Sequence, residues 1–144
     1  MTAKLWIAIG VLFLVVILGA ILIALPAPAE APVQGTAFVS ENVRVDAPRM
    51  GETVASTIEV RGQARGNWYF EASFPLEVRD PSGKRVGEGY AMTSEEWMTT
   101  NFVSFEGTVV ATDYRGPATL VLHKDNPSGL PENDDSVEFS IVIK

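Results

Sequence analysis

Apolar and polar residues alternate along several short segments in the C-terminal two thirds of the chain. The segments with this pattern are 57–64, 68–80 and 137–143, with weaker alternation in 42–46, 85–92, 103–112 and 117–124. Because successive side chains of a strand point to opposite faces, this period predicts strands with one buried and one solvated face. Proline and glycine separate most of the segments, so the chain is expected to reverse between them. The pattern predicts an all-β domain, an antiparallel β-sandwich of about seven strands.

The alternation in 68–80 assigns the aromatic residues of that segment to opposite faces. Trp68, Phe70 and Phe74 share the parity of the apolar positions, so we expect them in the core. Tyr69 has the opposite parity and is expected to be exposed. The segment therefore predicts one aromatic side chain free to contact a ligand.

The N-terminal part of the chain has a different pattern. Residues 5–25 contain no charged side chain, follow Lys4 and precede Pro26. At about 1.5 Å per residue, a helix of this length spans the roughly 30 Å apolar core of a bilayer. The lysine on the short side predicts an uncleaved signal anchor with residues 1–4 in the cytoplasm and the C-terminal domain outside the membrane. The alternative is a secreted domain released by cleavage near Ala29, where small residues have an A-x-A spacing.

The segment that follows is predicted to connect this helix to the folded domain. Residues 26–41 are rich in proline and alanine and are expected to form an extended tether, whereas residues 42–144 form one domain. Residues 26–144 carry 10 Lys and Arg against 18 Asp and Glu, a formal charge of 10 − 18 = −8. This acidic surface argues against nucleic acid as a partner. The chain has no cysteine, which excludes disulfides and thiolate metal sites.

Four clusters of residues carry a resemblance to a known family. They are 65–75 (RGNWYFEASFP), 80–84 (DPSGK), 97–99 (WMT) with 102–106 (FVSFE), and 125–132 (DNPSGLPE). In order and spacing, residues 42–144 resemble the bacterial spore germination immunoglobulin-like domain, which is often attached to a GerMN domain. The resemblance implies an immunoglobulin-like sandwich with no known catalytic activity, no cofactor and no specific ligand. No GerMN domain accompanies it in these 144 residues, which favours a general role in the cell envelope over a role specific to sporulation or germination.

Four residues are the candidates for binding. Tyr69, Trp97 and Phe102 offer aromatic surface for a protein or a sugar ring, and Asn126 offers an amide beside them. Trp97 lies in a loop, and we expect it to cap an open end of the sandwich, with ligand binding as the alternative. Exposure of the three aromatic side chains would distinguish a glycan-binding platform from a protein-interaction module.

The loop 125–135 is the only candidate for a metal site. Its carboxylates are Asp125, Glu132, Asp134 and Asp135, and such oxygen ligands bind Ca²⁺ in extracellular modules at about 10⁻⁴–10⁻³ M. Their spacing matches no calcium-loop template, and the competing interpretation is a solvated turn.

Enzymatic activity has little support in the sequence. The single histidine, His123, is expected on the surface, and no serine has the glycine pattern of a nucleophile elbow. We therefore expect a membrane-anchored, non-enzymatic module that binds an envelope protein or serves as a scaffold. The alternative is binding of cell-wall glycan.

Overall fold

The computed structural model describes residues 35–144. The predicted anchor at 5–25, its orientation and the alternative cleavage near Ala29 lie outside the described residues. Neither of the two short 3₁₀ helices in the described part approaches the length and apolarity of a membrane-spanning helix.

The described residues form strands and two 3₁₀ turns, which confirms the prediction of an all-β fold. The strands are β1 (Phe38–Val39), β2 (Val43–Ala47), β3 (Thr53–Val54), β4 (Thr57–Arg65), β5 (Ser73–Arg79), β6 (Arg85–Met92), β7 (Phe102–Val110), β8 (Gly116–His123) and β9 (Ser136–Ile143). Seven of these nine strands have five or more residues, and β1 and β3 have two each. The 3₁₀ turns are Gly66–Trp68 and Pro131–Asn133.

The strands form one hydrogen-bonded series that folds back on itself. Their order is β1-β2-β4-β7-β6-β5-β8-β9-β3, with antiparallel neighbours except for the parallel pair β3–β9. Although β1 and β9 lie near opposite ends of this order, the rings of Phe38 and Phe139 stack with centroids 5.3 Å apart. Phe74 on β5 and Phe105 on β7 also meet, at 5.0 Å, across strands that are not neighbours. The two halves of the series therefore face each other, as in a sandwich.

A single apolar core fills the space between these two layers. Phe74 is at its centre and contacts three other rings edge to face, those of Trp68, Tyr69 and Phe105. Such edge-to-face pairs stabilise a core by about 0.5–1.5 kcal/mol each beyond the burial of their area. The largest fully buried side chains are Trp68, Phe74, Phe105, Ile58, Leu76, Leu120, Leu122, Ile141, Ile143, Val43, Val45 and Val60.

The prediction that one strand covers 68–80 is wrong in its first five residues. Trp68 ends a 3₁₀ turn, and β5 begins only at Ser73. Between them Glu71 and Ala72 have positive φ angles of 50° and 62°, which extended strands do not contain. This turn resets the parity, so Phe70, predicted to be in the core, is 42% exposed.

The folded domain begins before residue 42, where the sequence placed its boundary. Phe38–Val39, within the predicted tether, is β1 and pairs with Arg44 and Val45 of β2. The amide of Met50 donates to the carbonyl of Thr36 at 3.0 Å. The tether was predicted to extend to residue 41, although its enrichment in proline and alanine ends near residue 32. The predicted start of the domain is therefore too late in the chain.

Candidate interaction surfaces

Tyr69 is a core residue and not the exposed aromatic that the sequence predicted. It follows the 3₁₀ turn Gly66–Trp68, its side chain is 4% exposed, and its hydroxyl donates to the carbonyl oxygen of Val103 at 2.8 Å. Burial raises the pKa of Tyr69 far above its ordinary value, because the phenolate would lose its hydration. Tyr69 therefore joins β7 to the segment between β4 and β5.

Trp97 is partly buried and packs against the core from the loop between β6 and β7. The loop passes so close to Gly66 that a Cβ at that position would lie 2.2 Å from the carbonyl oxygen of Trp97 and 2.1 Å from that of Thr99. A glycine at 66 is thus required for this approach. The position of Trp97 is that expected of a cap on the end of the sandwich.

Phe102 is half-buried and is contacted by two arginines. It begins β7, directly opposite Arg65 on β4, and the guanidinium carbon of Arg65 lies 4.1 Å from the ring centroid. The guanidinium carbon of Arg44, on β2, lies 4.0 Å from the same centroid. The ring of Phe102 is therefore already contacted by two cationic side chains of the same domain, and it is not a free platform on which a ligand could stack.

Asn126 organises the loop 125–135 through hydrogen bonds within it. Its Nδ2 donates to the carbonyl of Leu130 at 2.8 Å and to Oδ1 of Asp134 at 2.6 Å, and its Oδ1 accepts from the Ser128 hydroxyl. Both ends of the amide are thus occupied by the loop.

The candidate Ca²⁺ ligands of this loop do not converge. Asp134 accepts from Asn126, Asp135 accepts from the amide of Ser136, and Glu132 lies on the 3₁₀ turn. Within residues 35–144, no three acidic or histidine side chains come close enough to hold a metal ion. The acidic residues have the arrangement of a solvated turn.

Three exposed apolar side chains on β6 and β7 form a surface that sequence analysis missed. Tyr90 and Met92 are 61% and 62% exposed and project from the same side of β6, and Val110 of β7 lies opposite Glu88. We call Tyr90, Met92 and Val110 the β6–β7 patch. The signal in the sequence was the alternation in 85–92, which gives residues 88, 90 and 92 a common, outward parity.

The register of β6 places the ring of Tyr90 at the middle of a sheet face. Its Cα partners are Pro75 on β5 and Thr108 on β7. The neighbouring Gly89 brings β6 so close to β7 that a Cβ there would lie 2.0 Å from the carbonyl oxygen of Thr108. Because Gly89 has no side chain, the two strands stay this close, and the alternation along β6 directs the side chain of Tyr90 to the outer face.

A groove of about 520 Å³ runs along this face beside Tyr90. Its charged lining residues are Glu77, Arg85, Glu88 and His123. Arg85 pairs with Glu88 at 3.2 Å, so these two charges offset each other. The groove thus places an aromatic ring beside charges of both signs.

Glu77 is the centre of a second charged cluster at the end of the groove. Its carboxylate accepts from Nε and Nη2 of Arg79, both at 3.0 Å, and lies 2.8 Å from Nε2 of His123. The hydrogen bond from Arg79, followed by that from His123, lowers the pKa of Glu77 despite its partial burial. Glu77 is therefore an ionised partner in a structural cluster at neutral pH.

Comparison with known proteins identifies the family of this domain. Neither curated proteins nor solved structures include a significant match to the chain. The sequence model of the Gmad2 family, described as the immunoglobulin-like domain of bacterial spore germination, matches residues 42–129. This range contains β2 to β8, the charged cluster at Glu77 and the β6–β7 patch. The chain belongs to the family of immunoglobulin-like domains of bacterial spore germination.

Proposed function

We propose that this protein is a membrane-anchored, extracytoplasmic immunoglobulin-like module that binds another protein, or serves as a scaffold, in a bacterial cell envelope. Residues 5–25 anchor it, with the N-terminus in the cytoplasm. Its family suggests the narrower version of the role, an envelope complex that acts in sporulation or germination.

The β6–β7 patch is the observation that carries the protein-binding role. Tyrosine and methionine are enriched at protein interfaces, where a rigid ring and a flexible thioether bury apolar area against a partner. Tyr90 and Met92 are more than half exposed on a sheet face, and Val110 extends the same apolar area. Residues 35–144 carry 10 basic and 17 acidic side chains, 10 − 17 = −7, so we expect a partner with a neutral or basic contact surface.

The non-enzymatic part of the proposal is supported by the geometry of the titratable groups. His123 and Glu77 are paired with each other, and Arg79 completes their cluster on the sheet face. No serine, threonine, cysteine or lysine accompanies them along the groove lining, which consists otherwise of Pro75, Leu76, Gly89, Tyr90 and a second ion pair. A histidine paired with a carboxylate can act as a base only where a nucleophile or a bound water lies beside it, so we interpret this cluster as structural.

Photo-cross-linking in living cells tests the protein-binding role. Tyr90 is replaced by p-benzoylphenylalanine in the full chain, and Val39, an exposed apolar residue on β1, is replaced in a control. We expect a discrete protein adduct from position 90 after irradiation and none from position 39. Equal labelling from both positions, or no adduct from position 90, contradicts the proposal.

Cysteine labelling tests the anchoring and orientation. The chain contains no cysteine, so Ala3→Cys and Ser128→Cys each introduce a single reactive thiol. A membrane-impermeant maleimide added to intact cells should label position 128 and leave position 3 unlabelled. Labelling of position 3 in intact cells would contradict the proposed orientation. Release of a shortened domain into the medium would replace the anchor with cleavage near Ala29.

Glycan binding is the second candidate function, and the groove beside Tyr90 is the observation that favours it. A sugar ring can stack on an exposed tyrosine while neighbouring carboxylate and guanidinium groups hydrogen-bond its hydroxyls. Tyr69, Trp97 and Phe102, the aromatic residues first considered for this role, are buried or covered. Retention of the full chain on purified sacculi, abolished by Tyr90→Ala, would support the glycan; no retention rejects it.

A further inference from the structure

The surroundings of Phe102 combine two unpaired arginines with an aromatic ring. Within residues 35–144, Arg49, Arg61 and Arg115 also make no ion pair, but no ring contact is found for them. Arg79 and Arg85 each pair with a carboxylate within 4.0 Å, whereas Arg44 and Arg65 make no ion pair with any residue of the described range 35–144. Both instead contact the ring of Phe102, with guanidinium carbons at 4.0 and 4.1 Å from its centroid. Two cations without a carboxylate partner therefore converge on one aromatic ring in a domain of net negative charge.

The strand register brings these three residues together. Arg65 and Phe102 are Cα partners in the pair β4–β7, and Arg44 of β2 lies opposite Gln63, two residues before Arg65 on the same face of β4. The Cα positions of these residues are thus set by two adjacent strand pairs, β2–β4 and β4–β7, at the end of β4 and the start of β7. Both guanidinium carbons lie close to a single centroid, so they are at most about 8 Å apart.

Two cations at this separation repel each other, and the ring compensates only part of this cost. A cation over an aromatic face is stabilised by about 0.5–1 kcal/mol at an exposed site. Contact with a ring also leaves the guanidinium N–H groups available, because they lie in the plane of the guanidinium and suit bidentate binding of phosphate or carboxylate. Arg65 donates one of them, from Nη1, to the carbonyl of Thr100 at 3.1 Å.

We propose that Arg44, Arg65 and Phe102 form a binding site for an oxyanion, a phosphate or carboxylate group of an envelope component. Phe102 positions the two guanidinium groups, and their remaining N–H groups donate to the oxygens of the anion. The site does not depend on the β6–β7 patch and extends the proposed function. Because the domain as a whole repels anions, binding requires these two arginines and is not a general attraction to a basic surface.

Titration of the full chain with inorganic phosphate, and separately with acetate, tests the site. The protein is held in zwitterionic micelles at constant ionic strength, and the arginine Nε–Hε resonances are followed by NMR. We expect saturable shifts of the Arg44 and Arg65 signals with at least one of the two anions. The double variant Arg44→Gln, Arg65→Gln lacks both reporter signals, so its binding is followed through the backbone amide resonances of β2, β4 and β7, which are also recorded for the native chain. It should bind at least tenfold more weakly. Saturation by phosphate alone identifies a phosphate ligand, and saturation by acetate alone identifies a carboxylate.

A matched control separates this site from non-specific attraction. Arg61 lies on the same face of β4 as Arg65, and Arg61→Gln removes the same charge. Binding should remain within twofold in this variant. Absence of saturation with both anions, an equal loss in Arg61→Gln, or unchanged binding in the double variant would overturn the proposal. Phe102→Leu preserves both charges, and we expect it to weaken binding through loss of their positioning.

Discussion

Tyr69 and Tyr90 place the same side chain in opposite environments. Tyr69 is enclosed by the core, makes an edge-to-face contact with Phe74 and donates its hydroxyl to a backbone carbonyl. Tyr90 projects from the middle of a sheet face with 61% of its surface exposed. The first tyrosine is part of the core, and the second is the residue through which we propose that a partner binds.

The backbone conformation determines which tyrosine is buried and which is exposed. The chain around Tyr69 leaves β4 through a 3₁₀ turn and re-enters the sheet only after two residues with positive φ. The chain around Tyr90 continues through β6 without interruption, so the period of two holds there. Parity along a sequence therefore predicts the face of a residue only where the strand is continuous.

Truncation of the two tyrosines gives the largest expected contrast. Tyr69→Ala should lower the free energy of unfolding by about 3–5 kcal/mol, because it leaves a cavity beside Phe74. Tyr90→Ala should change it by less than about 0.5 kcal/mol, since the ring is mostly exposed. Urea unfolding of the full chain in micelles, followed by tryptophan fluorescence, measures both. Similar losses in the two variants would contradict the assignment of Tyr69 to the core and Tyr90 to the surface.

Replacement of each tyrosine by phenylalanine removes only the hydroxyl, and so tests its hydrogen bond separately from the packing of the ring. Tyr69→Phe leaves the carbonyl of Val103 without its side-chain donor, and this should cost about 1–2 kcal/mol. Tyr90→Phe removes a hydroxyl that makes no hydrogen bond to the described residues and should leave stability unchanged. The same unfolding experiment measures both variants. A Tyr69→Phe variant with the native free energy of unfolding would show that the hydroxyl contributes nothing to stability.

The charged cluster at Glu77 should make the unfolding free energy depend on pH, whereas an exposed glutamate without partners should not. The pKa of Glu77 is lowered in the fold, chiefly by Arg79, so its contribution is present above the ordinary glutamate range near pH 4.5 and disappears as the pH falls through the lowered value. Glu77→Gln should cost about 1 kcal/mol at pH 7, as expected of a partly exposed ion-pair cluster. The difference from the native protein should shrink as the pH falls below the ordinary glutamate range and through the lowered pKa of Glu77.

Glu132→Gln is the matched control for that experiment. Glu132 lies on an exposed 3₁₀ turn and makes no hydrogen bond or ion pair within residues 35–144. Its substitution should leave the unfolding free energy unchanged between pH 3 and pH 7. If Glu77→Gln gives an equally flat difference across this pH range, the cluster does not stabilise the fold.

Phe102→Leu should lower stability less than either substitution of Tyr69. Leucine retains most of the apolar contact but lacks the ring quadrupole that attracts Arg44 and Arg65. The expected loss is about 0.5–1 kcal/mol, and it should be absent when both arginines are already glutamine. A double-mutant cycle of unfolding free energies measures this coupling. A coupling energy of zero would show that the ring does not hold the two arginines.

Much of the fold could be predicted from the sequence because the strands are regular. The alternation in 57–64 and 137–143 corresponds to β4 and β9, whose buried and exposed residues alternate as expected. The errors lie at interruptions: the turn before β5 reversed the expected environments of Tyr69 and Phe70. Glu71 and Ala72 have positive φ angles, but neither glutamate nor alanine is a residue type that favours such angles. These two residues therefore gave no sign of the turn in the sequence.

The candidate surfaces were harder to predict than the fold. Sequence analysis selected Phe102 but not Arg44 and Arg65, which contact it across two strand pairs. Tyr90 was not selected, although its parity in 85–92 was visible, because exposure depends on what the neighbouring strands place beside it. Register between distant segments determines both surfaces, and the alternation within one segment does not show which other segment it pairs with.

Tyr90→Ala tests the central claim most directly, because it separates recognition from stability. The full chain with this substitution is compared with the native chain for its unfolding free energy and for its affinity toward the partner recovered by cross-linking at position 90. The account predicts an unfolding free energy within about 0.5 kcal/mol of the native value and an affinity at least tenfold lower. Unchanged affinity would contradict the account, as would a loss of affinity that accompanies unfolding.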